Sequence, residues 1–168
     1  MKKIILAVLF AASSLMASEF IDYKKLSKAL KAEHVKAGTF ASADDVKAAL
    51  KAKDWVVADV RTAIEWSAAH IPGSQRIGRQ APEKALENIV LDDDDNFIKD
   101  NIIIVCNSAA RASIESDTYG KMGFKTVKIY DIYSWIDECN EVKTGYSSKK
   151  DKKGTKNKFG MFKAAHCK

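Results

Sequence analysis

The chain alternates between short unbroken apolar runs and longer stretches in which apolar residues recur every three or four positions. Tyr23 to Val35 belongs to the second kind, with Leu26, Leu30 and Val35 spaced along a helix otherwise rich in lysine, and predicts an N-terminal helix at the domain edge. Ser42 and Asp45 stand in the spacing of a capping box and open a helix to about Leu50. Trp55 to Val60 is a short apolar run and predicts a buried strand. Pro72-Gly73 marks a turn, and Pro82 to Ile89 has helical composition. Asn101 to Val105 is the strongest strand signal, β-branched and continuous, as expected of a central parallel strand covered on both faces. Ala110 to Met122 then reads as a helix closed by Gly123, Thr126 to Tyr130 as a strand and Tyr133 to Val142 as a helix. This order predicts an α/β fold: an open parallel sheet with helices on both faces.

The two ends of the chain differ in character from this core. Met1-Lys2-Lys3, the apolar run Ile4 to Ala12 and the small residues up to Ser18 have the make-up of a secretory signal peptide over residues 1–17, cut after Ala17. The run is shorter than the ~20 residues of a spanning helix, so no integral membrane segment is expected after its removal. The expected location is therefore the periplasm. Residues 18–38 form a helical extension and residues 39–142 the domain. Residues 143–168 read as a lysine-rich, partly disordered tail, apolar only at Phe159-Gly160-Met161-Phe162. The net charge of +6 points to anionic partners, and export removes the protein from nucleic acid. The acidic run Asp92 to Asp95 reads as a solvated loop.

Three cysteines remain, an odd number for an exported chain. An oxidising compartment favours joining Cys139 to Cys167, a bridge worth roughly 3 kcal/mol by loop closure. The alternative keeps Cys139 as a core thiol, with Cys167 free or linking two chains. Cys106 follows the strongest strand at once and is itself followed by Asn107-Ser108-Ala109-Ala110-Arg111 and a helix. A tight turn from a parallel strand into a helix directs backbone N–H groups inward, and the helix start adds positive partial charge. Arg111 adds a permanent charge and a fork of donors. These features stabilise an anion around a nucleophilic sulfur.

A second segment carries a family resemblance. Asp59-Val60-Arg61, Glu65-Trp66 and His70-Ile71-Pro72-Gly73-Ser74, followed by the Cys106 loop, Gly123-Phe124-x-x-Val127 and Trp135, resemble the rhodanese domain from about Thr39 to Val142. The resemblance implies a sulfurtransferase. Cys106 and Arg111 would be catalytic, and Asn107, Ser108, Ala109, Ala110 and Arg111 would hold the transferred sulfur. Asp59, Arg61, Glu65 and His70 would be structural, tying their strand to the following turn. His70 is not needed as a base if the loop already holds the thiolate, and these four lack the spacing of a metal site. Neither a metal nor an organic cofactor is implied. Expected partners are anionic sulfur compounds, polysulfide or thiosulfate, with a protein thiol or a sulfur-reducing enzyme as acceptor and a homodimer as a candidate assembly.

The chain departs from the family pattern at three places. Ala109 replaces the glycine of C-x-x-G-x-R, Asp131-Ile132 replaces a glycine pair, and Ala69 precedes His70. The C-x-x-A-A-R loop is similar to that of periplasmic polysulfide–sulfide transferases of the Sud type. Two other readings stand beside this one. The first is a non-catalytic rhodanese-like module that binds sulfur or a partner. The second is a phosphatase or arsenate reductase, whose C-x₅-R loop is longer than the C-x₄-R loop here and would enclose a larger anion.

Overall fold

A computed structural model describes residues 20–145 and 160–167. The signal peptide expected over residues 1–17 and most of the lysine-rich segment lie outside them. Among the described residues no helix is long and apolar enough to cross a membrane.

Four strands form one parallel sheet: β1 (Trp55–Asp59), β2 (Gln75–Arg76), β3 (Asn101–Cys106) and β4 (Thr126–Asp131), in the order β2-β1-β3-β4. Beyond β4, Phe40 adds a single parallel bridge to Ile129. All six residues of β3 are buried, because both faces of this central strand are covered. Alternation along the strands divides the core. Val56, Ala58, Ile102, Ile104 and Cys106 face one layer with Leu86, Ala112 and Tyr119, whereas Val57, Ile103 and Val105 face another with Val46, Ile132 and Trp135. The first layer belongs to α4 (Pro82–Val90) and α5 (Ala110–Lys121), the second to α2 (Ala43–Ala49) and α6 (Ile132–Asp137). The cysteine thus shares a layer with the helix that follows it.

The helix starts follow from local chemistry. Asp22 caps α1 (Tyr23–Ala37), and Ser42 with Asp45 forms a complete capping box on α2. Thr62 and Glu65 do the same for α3 (Ala63–Ala68), a helix not expected from the sequence pattern. α1 packs along α5, where His34 Nε2 lies 2.7 Å from Ser116 Oγ.

The last helix is shorter than the expected Tyr133–Val142. It stops at Asp137 in a Schellman turn: the Cys139 N–H donates to the Ile136 carbonyl (3.1 Å) and the Asn140 N–H to that of Trp135 (3.2 Å). Cys139 takes the left-handed position of that turn, with φ 62°. The chain beyond is more than a tail. β5 (Val142–Thr144) pairs antiparallel with β6 (Gly160–Phe162), which contains most of the one apolar cluster in the lysine-rich segment. A short 3-10 turn, Ala165–Cys167, brings Cys167 into a disulfide with Cys139. Cys106 is free.

Candidate active site

Cys106 ends β3 at the carboxyl edge of the sheet, where open parallel sheets place their sites. It is only 1% exposed. Asn107, Ser108 and Ala109 turn the chain from β3 into α5, and the reversal requires Ala109 at φ 63°, ψ −2°. That is left-handed backbone, which costs an alanine about 1 kcal/mol and a glycine little. This gives a physical reason for the glycine of the family pattern. Here the buried Ala109 methyl and the Ala109 carbonyl, which accepts from the Ser113 N–H and hydroxyl at 2.8 Å each, help hold the turn. No side chain caps α5. The first N–H groups of a helix have no partner within it, so those of α5 remain as donors beside the cysteine.

Arg111 is committed to a partner. Its Nη1 and Nη2 donate to Glu65 Oε2 (3.1 Å) and Oε1 (2.9 Å), a two-point ion pair across 46 residues of chain. Asn107 Nδ2 donates to the same Oε1 at 2.6 Å. Asn107 Oδ1 in turn accepts from Arg61 Nη1 at 3.4 Å, and Arg61 lies on Asp59. Asp59, Arg61, Asn107, Glu65 and Arg111 therefore form one network running from the end of β1 to the start of α5. Burial disfavours the Arg111 charge, but Glu65, followed by Cys106 and Tyr23, raises its pKa above the ordinary value.

His70 stands apart from this network. It stacks on Trp66 with ring centroids 3.8 Å apart, its Nδ1 donates to the Trp66 carbonyl at 2.9 Å, and its backbone pairs with Lys143. Desolvation, the largest influence, lowers its pKa.

Burial alone would raise the Glu65 carboxyl. The Arg111 hydrogen bonds, with the Thr62 amide and hydroxyl, overcome this and hold it at about 2, from an ordinary 4.5. The folded-state pKa is depressed, so the stabilisation is full above about pH 4.5 and is lost as pH falls through about 2. Glu65→Gln should cost on the order of 1–2 kcal/mol at neutral pH, less than the full shift because solvent screens the pair. The gap from the parent should close in acid. Urea titrations across that pH range check this, and a gap that does not change with pH would show that the carboxylate charge is idle.

Several residues of the site carried no signal in the sequence. Lys31, on α1, donates from Nζ to the Ser108 carbonyl at 2.9 Å and so ties the N-terminal helix to the cysteine loop. A cleft of about 690 Å³ beside the network is lined by Tyr23, Thr62, Glu65, Arg79, Gln80, Arg111 and Glu115. Arg79 is exposed and makes no ion pair among the described residues. Since Glu65 meets the charge of Arg111, Arg79 is the cation of the cleft without an ion-pair partner among the described residues. Without it, Glu65, Arg111 and Glu115 leave the lining with one net negative charge. Assayed with thiosulfate as a dianionic probe, Arg79→Ala should raise KM about 5–10-fold with kcat near the parent's, as loss of a screened charge contact does. Arg111→Ala should instead lower kcat, with only partial recovery in Arg111→Lys, because lysine cannot make the two-point contact. Steady-state kinetics at low and high salt separate the two effects. Equal KM and kcat losses in both variants would show that the cleft does not divide these roles.

A buried cysteine, an uncapped helix start and a charged network at the carboxyl edge of a parallel sheet define an α/β domain with one free thiol at that edge. The family comparison agrees: residues 42–135 match the rhodanese-like domain model, and the chain belongs to that family. No curated protein matches the chain. Among solved structures it is similar to a Bacillus halodurans protein (22% identity, covering 70% of this chain and 86% of that one, TM-score 0.49). It is also similar to the polysulfide-sulfur transferase homodimer of Wolinella succinogenes (24% identity, 70% and 90% covered, TM-score 0.48). A human single-domain sulfurtransferase matches at 16% identity over 60% of this chain and 96% of that one, with TM-score 0.46.

Proposed function

We propose that the protein is a sulfurtransferase that works outside the cytosol, in the periplasm, and carries a sulfane sulfur as a persulfide on Cys106. The observation that carries this reading is the placement of the one free thiol among the cysteines, at the foot of the uncapped start of α5, with the Glu65–Arg111 pair beside it.

The Cys106 thiolate attacks the outer sulfur of polysulfide or thiosulfate. A new S–S bond forms on Cys106, the old S–S bond breaks, and a shortened polysulfide or sulfite leaves with the electron pair. Backbone N–H groups from Asn107 to Arg111 supply donors for the negative charge of the persulfide. A thiophilic acceptor, such as sulfide, cyanide or a protein thiol, then takes the outer sulfur and returns the thiolate. Arg111, held by Glu65, keeps the loop in shape and adds positive potential near the sulfur, while Arg79 meets the anionic donor at the cleft. Every step uses side chains and backbone of this chain, so the scheme needs no cofactor.

Intact-mass measurement tests this. After incubation with polysulfide or thiosulfate, the expected result is a gain of one sulfur atom on the peptide containing Cys106, removed by cyanide. No gain with either donor would overturn the reading and favour a non-catalytic module.

A further inference from the structure

A second sulfur-rich cluster lies away from Cys106, where the chain's end meets α6. A ring nitrogen of His166 and the sulfurs of Cys139 and Cys167 all lie within 4.8 Å of one another. We propose that, once the Cys139–Cys167 disulfide is opened, these three residues bind a thiophilic closed-shell cation, zinc(II) or copper(I), so that metal and disulfide exclude each other.

The ligand types and their spacing support this first. Thiolate and imidazole ligands sit about 2.0–2.3 Å from such metals, which places them within roughly 4 Å of each other, so once the S–S bond is broken the two sulfurs need only rotate apart and the imidazole rotate in. The histidine is already oriented. Its Nε2 lies 3.3 Å from the Asp137 carbonyl, which can only accept, so Nε2 is the donor in this contact. A ligating histidine commonly donates its other ring N–H to a backbone carbonyl, and this contact would give that support to a metal held on Nδ1.

The scaffold also holds independently of the S–S bond. Cys139 is fixed by the Schellman turn of α6, and Cys167 by its N–H bond to the Ala164 carbonyl (3.1 Å) and the β5–β6 pairing just before it. Breaking the bridge leaves both cysteines near each other. A cleft of about 380 Å³ on this surface is lined by Cys139, Met161, Lys47 and Lys163 among others. Met161 is half exposed and offers a further soft sulfur there. Lys47 is paired with Asp44 at 3.1 Å and Glu141 also lines the cleft, so the charge of the lining does not choose between copper(I) and zinc(II).

The steps balance. A dithiol or phosphine reductant supplies two electrons to the disulfide, and two thiols result. Binding of the cation displaces the two thiol protons to solvent. Thiol–disulfide exchange with an external disulfide restores the bridge, takes two electrons and releases the metal.

The test uses the full chain, reduced with a phosphine under anaerobic conditions and titrated with zinc(II) or copper(I) against a chromophoric chelator. One cation per chain is expected in the reduced protein and none with the disulfide intact. Bound metal should protect Cys139 and Cys167, but not Cys106, from alkylation mapped by peptide mass. His166→Ala and Cys167→Ser should each weaken binding by more than the roughly 10–100-fold that loss of an outer-shell partner costs. Unchanged circular dichroism would show that those variants still fold. Binding of both cations, or of copper(I) or zinc(II) alone, supports the site and identifies its metal. Overturning results are no stoichiometric binding of either cation to the reduced protein, equal binding with the disulfide closed, or protection confined to Cys106. Cys106 is not a ligand, so this outcome is independent of the sulfur-transfer reading.

Discussion

Cys106→Ser is expected to fold as the parent does and to lose sulfur transfer by more than about 10³-fold, the scale seen when a covalent nucleophile is removed. The hydroxyl is nearly the size of the thiol, so the layer shared by β3 and α5 keeps its packing. Its cost is that of a buried hydroxyl, about 1–3 kcal/mol if unpartnered. Donors at the start of α5 and the carbonyls of the loop can offset part of that. Catalysis has no such substitute. A serine hydroxyl is not ionised at neutral pH and forms no persulfide, so both halves of the transfer cycle fail together. Intact-mass analysis after polysulfide treatment and steady-state transfer to cyanide measure the two halves. If the variant turned over at even a tenth of the parent rate, Cys106 would not be the sulfur carrier, and a covalent mechanism at this loop would have to be abandoned.

The parts of this molecule that could be read from sequence are those whose physics is local. β3 declares itself because a strand covered on both faces must be apolar at every position, and Ile102 to Val105 leave no other reading. The apolar run Trp55 to Ala58 marks β1 on the same ground up to the buried Asp59 at its end, and Ser42 with Asp45 announces α2 through a capping box. The box of Thr62 and Glu65 has the same spacing, but α3 behind it buries no residue and so has no apolar face to read. β2 is two residues long and exposed, a strand only because β1 pairs with it. α6 ran on in the sequence because nothing in Cys139 reveals a left-handed turn, for which glycine or asparagine is the usual mark. The candidate site divides in the same way. Cys106 and Arg111 are legible, being five positions apart across one strand-to-helix turn. Contacts made only by folding are not: Glu65 on Arg111 spans 46 residues, and Lys31 on the Ser108 carbonyl spans 77. Nor does any pattern separate Lys31 from the other lysines of α1. Glu65 therefore looked like part of the turn after β1, whereas folded it joins that turn to the cysteine loop.

Asp59→Ala is expected to destabilise the domain by about 3–5 kcal/mol, the largest stability effect among these substitutions. The Asp59 side chain is 0% exposed and that of Arg61 4%. Arg61 donates from Nε and Nη2 to the Asp59 carboxylate, at 2.6 Å for the shortest contact, and from Nη2 to the Ala69 carbonyl at 2.7 Å. Removing the aspartate leaves a guanidinium that stays ionised, buried and without its counter-ion, and that desolvation cost outweighs the few lost contacts. The pair itself need not be worth so much. Replacing both partners by apolar residues, as in Asp59→Ala with Arg61→Met, removes the charge along with its partner and should cost less than Asp59→Ala alone. The damage should also reach the candidate site, because Arg61 Nη1 holds Asn107 Oδ1 at 3.4 Å and Asn107 in turn holds Glu65. Transfer rates should therefore fall in Asp59→Ala even under conditions where the protein remains folded. Urea denaturation of the parent, the single variants and the double variant gives the four corners of the cycle. The slope m should stay unchanged if only stability moves. A double variant less stable than Asp59→Ala would show that Arg61 without its partner still contributes more through its carbonyl and Asn107 bonds than its buried charge costs. The ion pair would then have to be seen as secondary to the hydrogen-bonding reach of the arginine.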